Sequence, residues 1–292
     1  MIDLLQSKFG DFISVESLRG VAGSKSSTSR LQFAGGCAVV KSSSHNRERL
    51  FYERYANALR EHGVHVPQLY WAGIDSDHTN WIAMEYIPGV FPQEQWRNNP
   101  AQIRMLCNLH AYCSGPISLR DDATWYRPKW DDEMTELAFT WFEGSSEGEL
   151  IKQRLRDAQQ KSQTLFVPHC CLSGDPNPTN WRVRSNGELV MVDWERFCEG
   201  NPAIDLAITM PNLGTEDLSL ETQLARTYNR LYREMNNAAF QSDLDFALQI
   251  RAAKIWTVVE FIANAARDMD NYPKATIDYI VAHLPAFIPK LS

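Results

Sequence analysis

Asp175 is followed five positions later by Asn180 in the stretch Ser173-Gly174-Asp175-Pro176-Asn177-Pro178-Thr179-Asn180, and Asp193-Trp194-Glu195 comes soon after. An aspartate that can take a proton from a hydroxyl, an amide and a second carboxylate that can hold a divalent cation are what moving a phosphoryl group needs. In that chemistry positioning and charge neutralisation do most of the work. The spacing brings Asp175 and Asn180 to one phosphate while the backbone turns between them. Alone, the Pro/Asn-rich run reads as a turn. It leads, however, straight into WRVRS (181–185) and ELVMVD (188–193) around Asn186-Gly187, a type I′ hairpin signature. That hairpin delivers the second carboxylate, Asp193. A lysine able to hold the α- and β-phosphates stands far upstream: Lys41 ends the β-prone run Ala38-Val39-Val40-Lys41. The helix after it supplies Glu53, with Glu48 as second choice, to pair with that lysine.

These residues need elements to hold them. FISV (12–15), STSRLQF (27–33), CAVVK (37–41), PQLYWAGI (67–74) and NWIAMEYI (80–87) read as five strands, with Gly35-Gly36 a hairpin signal. Residues 46–63 carry Leu50, Phe51, Tyr55, Ala58 and Leu59 at helical spacing and stop at Gly63. After Pro88-Gly89 the pattern turns helical over 99–113, 131–160, 218–236, 241–269 and 274–285. A chain of 292 residues suits two domains, or one domain in two lobes. The expectation is an α+β fold: a small five-stranded antiparallel β lobe with one helix over 1–88, a hinge near 85–90, and a mainly α-helical lobe over 89–292 carrying the catalytic loop and substrate site. This layout resembles the protein-kinase-like fold.

The matching residues Gly174, Asp175, Asn180, Asp193, Trp194 and Glu195 are similar to the signature of the aminoglycoside phosphotransferase and choline kinase family, H-G-D-x-x-x-x-N followed by a hairpin and I-D-W/F-E. Met84-Glu85-Tyr86-Ile87-Pro88-Gly89 resembles its hinge, Leu109-His110 its "L-H" pair, and Gly200 to Ala207 its G-x-P-x-x-D-L-A segment. The resemblance covers roughly 15–210 and is densest from 172 to 207. It implies ATP and Mg2+ as cofactors, Asp175 as the base, and Asn180 with Asp193 on the metal. It further implies Lys41 positioned by Glu53 on the phosphates, and backbone groups near Glu85 and Ile87 on adenine. Gly23 and Ser24 lie where the family has its nucleotide-binding loop, and Asp205 is expected to brace the catalytic loop. One position departs: the family's histidine two residues before the base is Ser173 here.

Only Arg196 to Asn201 separates Asp193-Trp194-Glu195 from Pro202-Ala203-Ile204-Asp205. No peptide-docking activation segment fits there, so a small-molecule acceptor is expected. Segment 121–150 holds nine carboxylates against Arg127 and Lys129, with Trp125, Tyr126, Trp130 and Trp141 among them. Aromatic faces beside carboxylates suit an ammonium group; Glu260, Asp268 and Asp270 could add charge, and Trp194, Glu195 and Glu260 are taken as acceptor contacts. The bland reading of the same segment is a solvated helix face over core tryptophans. The acceptor is thus expected to be cationic: an aminoglycoside, a choline-like amino alcohol or another amino sugar. A protein-modifying kinase on the same scaffold and a catalytically inactive nucleotide-binding module are the alternatives.

A net charge of −7 speaks against nucleic acid as a partner. MIDLLQSKFGDF shows no leader pattern, and no window approaches the ~18 continuous apolar residues of a membrane span. A cytoplasmic monomer or dimer is expected, with the six cysteines as reduced thiols.

Overall fold

The computed structural model describes residues 1–18, 27–112, 119, 122–209 and 218–291. Helix α1 (Ile2–Phe9) leads into strands β1 (Phe12–Leu18), β2 (Ser27–Phe33) and β3 (Gly36–Ser43), followed by helices α2 (Arg47–Arg54) and α3 (Ala56–Glu61) and strands β4 (Leu69–Ile74) and β5 (Asn80–Glu85). The five strands form one antiparallel sheet in the order β1-β2-β3-β5-β4. The fold is α+β, as expected. Helix α1 was not foreseen; it is too short for its period to stand out, and its place is fixed by burial of Leu5 and by Phe9 packing on Phe33 and Tyr70. The expected helix over 46–63 is two helices, interrupted at Tyr55.

Strand alternation decides what each face of the sheet does. Ala38, Val40, Leu31, Phe33 and Ala83 pack together under α1. Lys41 and Val39 therefore point the other way, toward Ile82, Met84 and the main core.

Beyond β5, strand β6 (Gly89–Val90) crosses to the hairpin at 181–191. Then come α4 (Pro100–Tyr112), α5 (Asp132–Phe139) and α6 (Gly148–Lys161). The expected helix over 131–160 is broken by a tight turn after α5 and by Gly144, whose φ of 79° a side chain would resist. Strand β7 (Cys170–Leu172) leads to the loop 173–180, β8 (Trp181–Val183) and β9 (Leu189–Met191) form the hairpin after it, and β10 (Cys198–Gly200) returns to pair with β7. Helices α7 (Pro202–Ile208), α8 (Ser219–Asn236), α9 (Asp243–Arg267) and α10 (Lys274–Phe287) complete the chain. One apolar core runs from Leu50 through Trp181 and Trp256 to Ile288, so sheet and helices share it. Cys37, Cys107, Cys170 and Cys198 are free thiols, whereas Cys171 is disulfide-bonded, which corrects the expectation for that residue; spacing alone does not reveal a pairing. Among the described residues no helix is long and apolar enough to cross a membrane.

The helical layer buries a charged group. Glu221 on α8 pairs with Arg251 on α9 at 3.1 Å, and Lys254, 2% exposed, lies beside them with no hydrogen-bond partner for its Nζ among the described residues. Burial, only partly opposed by Glu221, pushes Lys254 down to about 8 from 10.5. The unfolded chain thus binds this proton more tightly than the folded one. The cost of charging Lys254 is fully present below pH 8 and fades as pH rises from 8 toward 10.5. Lys254→Met should accordingly raise stability at pH 7 by about 1–4 kcal/mol, with the gain shrinking at alkaline pH. Denaturant unfolding of both proteins at neutral and alkaline pH checks this; a less stable Met variant would contradict it.

Candidate active site

Lys41 Nζ lies 2.7 Å from Glu48 Oε2, 2.8 Å from Asp193 Oδ1 and 3.8 Å from Glu195 Oε2. Burial disfavours the lysine's charge, but the attraction of Glu48, Asp193 and Glu195 outweighs it and holds Lys41 above its ordinary value. Burial raises the Glu48 carboxyl against the pull of Lys41.

Glu53, the expected partner, is not there: it pairs with Arg49 at 2.5 Å on the outer side of α2. Five residues on a helix turn by about 140°, so Glu48 and Glu53 cannot face the same lysine. Glu48 faces the core and is 4% exposed.

Asp175 lies where it feels the charge of Asp193. Asn180 Nδ2 donates to the Asp175 carbonyl at 3.0 Å and to its Oδ2 at 3.1 Å. The loop between them is built locally. Asn177 Oδ1 accepts from Thr179 N at 3.0 Å, and Trp181 Nε1 donates to the Pro176 carbonyl at 3.0 Å. The Val192 amide donates to the Asn180 carbonyl at 2.8 Å, tying the loop to the residue before Asp193. Burial raises the Asp175 carboxyl to about 6, opposed by Arg196 and supported by Asp193. Gly174 has φ 77°, and a Cβ there would lie 2.1 Å from the Arg196 carbonyl oxygen, so no side chain fits.

Asp205 is fully buried beneath this loop. Its carboxylate accepts from the amides of Ser173 and Gly174, both at 2.9 Å, and lies 3.2 Å from His110 Nε2. His110 Nδ1 in turn meets the Tyr228 hydroxyl at 3.0 Å. The loop therefore hangs from Asp205 by its backbone, independent of which side chain stands at 173. The Ser173 hydroxyl is buried without a partner.

The remaining sequence-derived site residues divide. Trp194 is not at a surface that could meet an acceptor: it is fully buried, stacked on Phe51 at 4.3 Å, with Nε1 donating to the Met191 carbonyl. Glu195 turns toward Lys41. Glu260 does reach the Asp175 side, where Arg196 and Tyr126 engage it. Glu85 directs its side chain to Arg184, at 2.7 and 2.8 Å, clamping the end of β5 to the β8–β9 hairpin. Its amide donates to the Gln68 carbonyl at 2.9 Å, and Ile87 is buried. Gly23 and Ser24 lie outside the described residues.

Several carboxylates of segment 121–150 form surface pairs: Glu136 with Lys152 and Arg156, Glu133 with Arg267, and Asp131 with Lys129 and the first turn of α5. Trp125 and Trp130 are core residues. The bland reading fits these residues: α5 turns Asp132, Glu133 and Glu136 to solvent, while Trp125 and Trp130, on the irregular stretch ahead of it, pack into the core. Arg184 and Arg196 went unnoticed in the sequence. Only the position of Arg196, directly after Glu195, offered a signal.

Glu48, Asp193 and Glu195 bring carboxylate oxygens within 4.8 Å of one another. Such hard oxygen donors fit magnesium rather than a softer metal.

The chain matches the model of the phosphotransferase enzyme family over residues 17–239, and it belongs to that family. No curated protein matches it in sequence. Among solved structures it is similar to the choline kinase of Streptococcus pneumoniae, at 16% identity and TM-score 0.63 over 99% of both chains. It is also similar to a thermostable mutant of an aminoglycoside phosphotransferase in ternary complex with AMP-PNP and hygromycin B, at 17% identity and TM-score 0.61 over 98% of this chain and 97% of that one. A spectinomycin phosphotransferase in complex with ADP and spectinomycin gives 12% identity and TM-score 0.63 over 99% and 92%.

Proposed function

We propose that this phosphotransferase moves the γ-phosphoryl group of ATP, with magnesium, to a hydroxyl of a small amine-bearing molecule. The observation that carries the reading is the joining of Lys41, Glu48 and Asp193 within 2.8 Å, across a sheet and a hairpin distant in sequence, with Asp175 and Asn180 bonded on one loop.

In the transfer step the acceptor oxygen bonds to the γ-phosphorus while the bond from that phosphorus to the bridging oxygen of ADP breaks. The hydroxyl proton passes to the Asp175 carboxylate. Lys41, held by Glu48, would grip the α- and β-phosphates, and Asn180 with Asp193 would hold the metal. Glu195 is a further candidate for the metal. Bound magnesium would neutralise charge on the phosphate oxygens. Backbone groups at Glu85 and Ile87 take the adenine, with residues 1–88 as the nucleotide lobe and 89–292 as the acceptor lobe.

A small acceptor is supported by strand β10, which fills the short segment between Glu195 and Pro202 and leaves no length for a peptide-docking loop. An amine on it is supported by the similar choline and aminoglycoside kinases and by the carboxylate of Glu260 near Asp175. The cytoplasm is the compartment where ATP would meet such an enzyme.

ADP release from Mg·ATP against hygromycin B, spectinomycin, choline, ethanolamine and glucosamine tests the reading. Turnover that depends on one of these acceptors and on magnesium is the expected result. Phosphorylation of proteins in a lysate, with indifference to every amine, would replace it.

A further inference from the structure

The acceptor side of Asp175 carries an ion pair that the transfer step leaves unused. Arg196 Nη2 donates to Glu260 Oε1 at 2.8 Å and Oε2 at 2.6 Å, and also to the Tyr126 hydroxyl. The guanidinium lies over the Tyr126 ring, 4.3 Å from its centroid, and the Tyr126 hydroxyl donates to the same Glu260 carboxylate. The Arg196 side chain is 26% exposed and that of Glu260 11%, so the pair lies at the edge of solvent. Arg196 Nε is buried and has no hydrogen-bond partner among the described residues. Both charges act on Asp175, Arg196 favouring its ionised form and Glu260 opposing it. Half-buried Tyr272 feels both as well.

A carboxylate beside an aromatic face is the arrangement that receives an organic cation. Here the cation is the chain's own. We propose that Glu260 and Tyr126 form the recognition site for the acceptor's ammonium group, and that Arg196 holds this site until the acceptor takes it. This rests on the reading of the chain as a small-molecule phosphotransferase. An uncompensated carboxylate at such a place would be costly, and Arg196 removes that cost. When an ammonium group binds Glu260, the guanidinium is released beside Asp175, where the transferring phosphoryl group brings negative charge and acceptors for the unpartnered Nε. One ion pair is exchanged for two. Acceptor and Mg·ATP should therefore bind with positive cooperativity.

The test needs no knowledge of the natural acceptor. Thermal midpoints of wild type, Arg196→Ala and Arg196→Ala/Glu260→Gln are measured in tetramethylammonium chloride and in sodium chloride at equal ionic strength. Arg196→Gln stands in if the alanine variant folds poorly. At about tenfold excess over its dissociation constant the ammonium ion should raise the midpoint of Arg196→Ala by about 2–4 °C over sodium. Wild type and the double variant should show little difference between the salts. An equal response in all three proteins, or one that survives Glu260→Gln, overturns the proposal. Protection of the same variants by Mg·ATP reports on the nucleotide reading separately, so the two failures are distinguishable.

Discussion

Asp175→Asn should lower kcat for acceptor phosphorylation by a factor of roughly 10²–10⁴ and leave Mg·ATP binding nearly unchanged. The substitution keeps the shape of the side chain and an oxygen for the Asn180 Nδ2 bond, which Asp175 now accepts at 3.1 Å. The lost capacity is that of taking a proton from the acceptor hydroxyl. Burial raises the Asp175 carboxyl to about 6, with Arg196 opposing that rise; a carboxyl so placed is still ionised at neutral pH and is more basic than an exposed one. Lys41 and its carboxylate partners are untouched, so nucleotide affinity is the internal control. Acceptor-dependent ADP release and calorimetric Mg·ATP binding measure the two quantities. An unchanged kcat would move the base elsewhere; a loss of nucleotide binding would mean that the loop had collapsed.

Asp205→Ala should damage both stability and catalysis. The amides of Ser173 and Gly174 and the imidazole of His110 all converge on this fully buried carboxylate. Each buried donor left without an acceptor costs about 1–3 kcal/mol, and losing one member of a buried charged network typically costs about 3–5 kcal/mol. A fall in thermal midpoint of about 5–10 °C is expected. The activity remaining at low temperature should show a reduced kcat, because the backbone that aims Asp175 has lost its anchor. Asp205→Asn retains one acceptor oxygen but places an amide donor against the other N–H, and should fall between. A variant that melts like wild type would show that Asp205 braces nothing.

Much of the site was legible in the chain because its parts are local. The Asp175–Asn180 spacing, the Asn186-Gly187 turn and Asp193 lie on one loop and hairpin, and local backbone geometry brings them together. The five strands were legible from alternation and turn residues, and so was Lys41 at the end of its run. The short α1 and the breaks at Tyr55 and near Gly144 were not, because helical periodicity runs on through a single interrupted turn.

The sequence by itself determined the fold class, the family and the Asp175–Asn180 loop with its hairpin, since these rest on residues close together in the chain. Only the tertiary structure decided which partners those residues keep. Glu48 rather than Glu53 meets Lys41 because only one face of α2 lies against the sheet. Trp194 is a core residue because Phe51 stacks on it from another element. Glu260 is claimed by Arg196 across 64 residues of sequence. Charge pairing acts over a few ångströms of space and is blind to distance along the chain, so type and spacing name the candidates while packing assigns their partners.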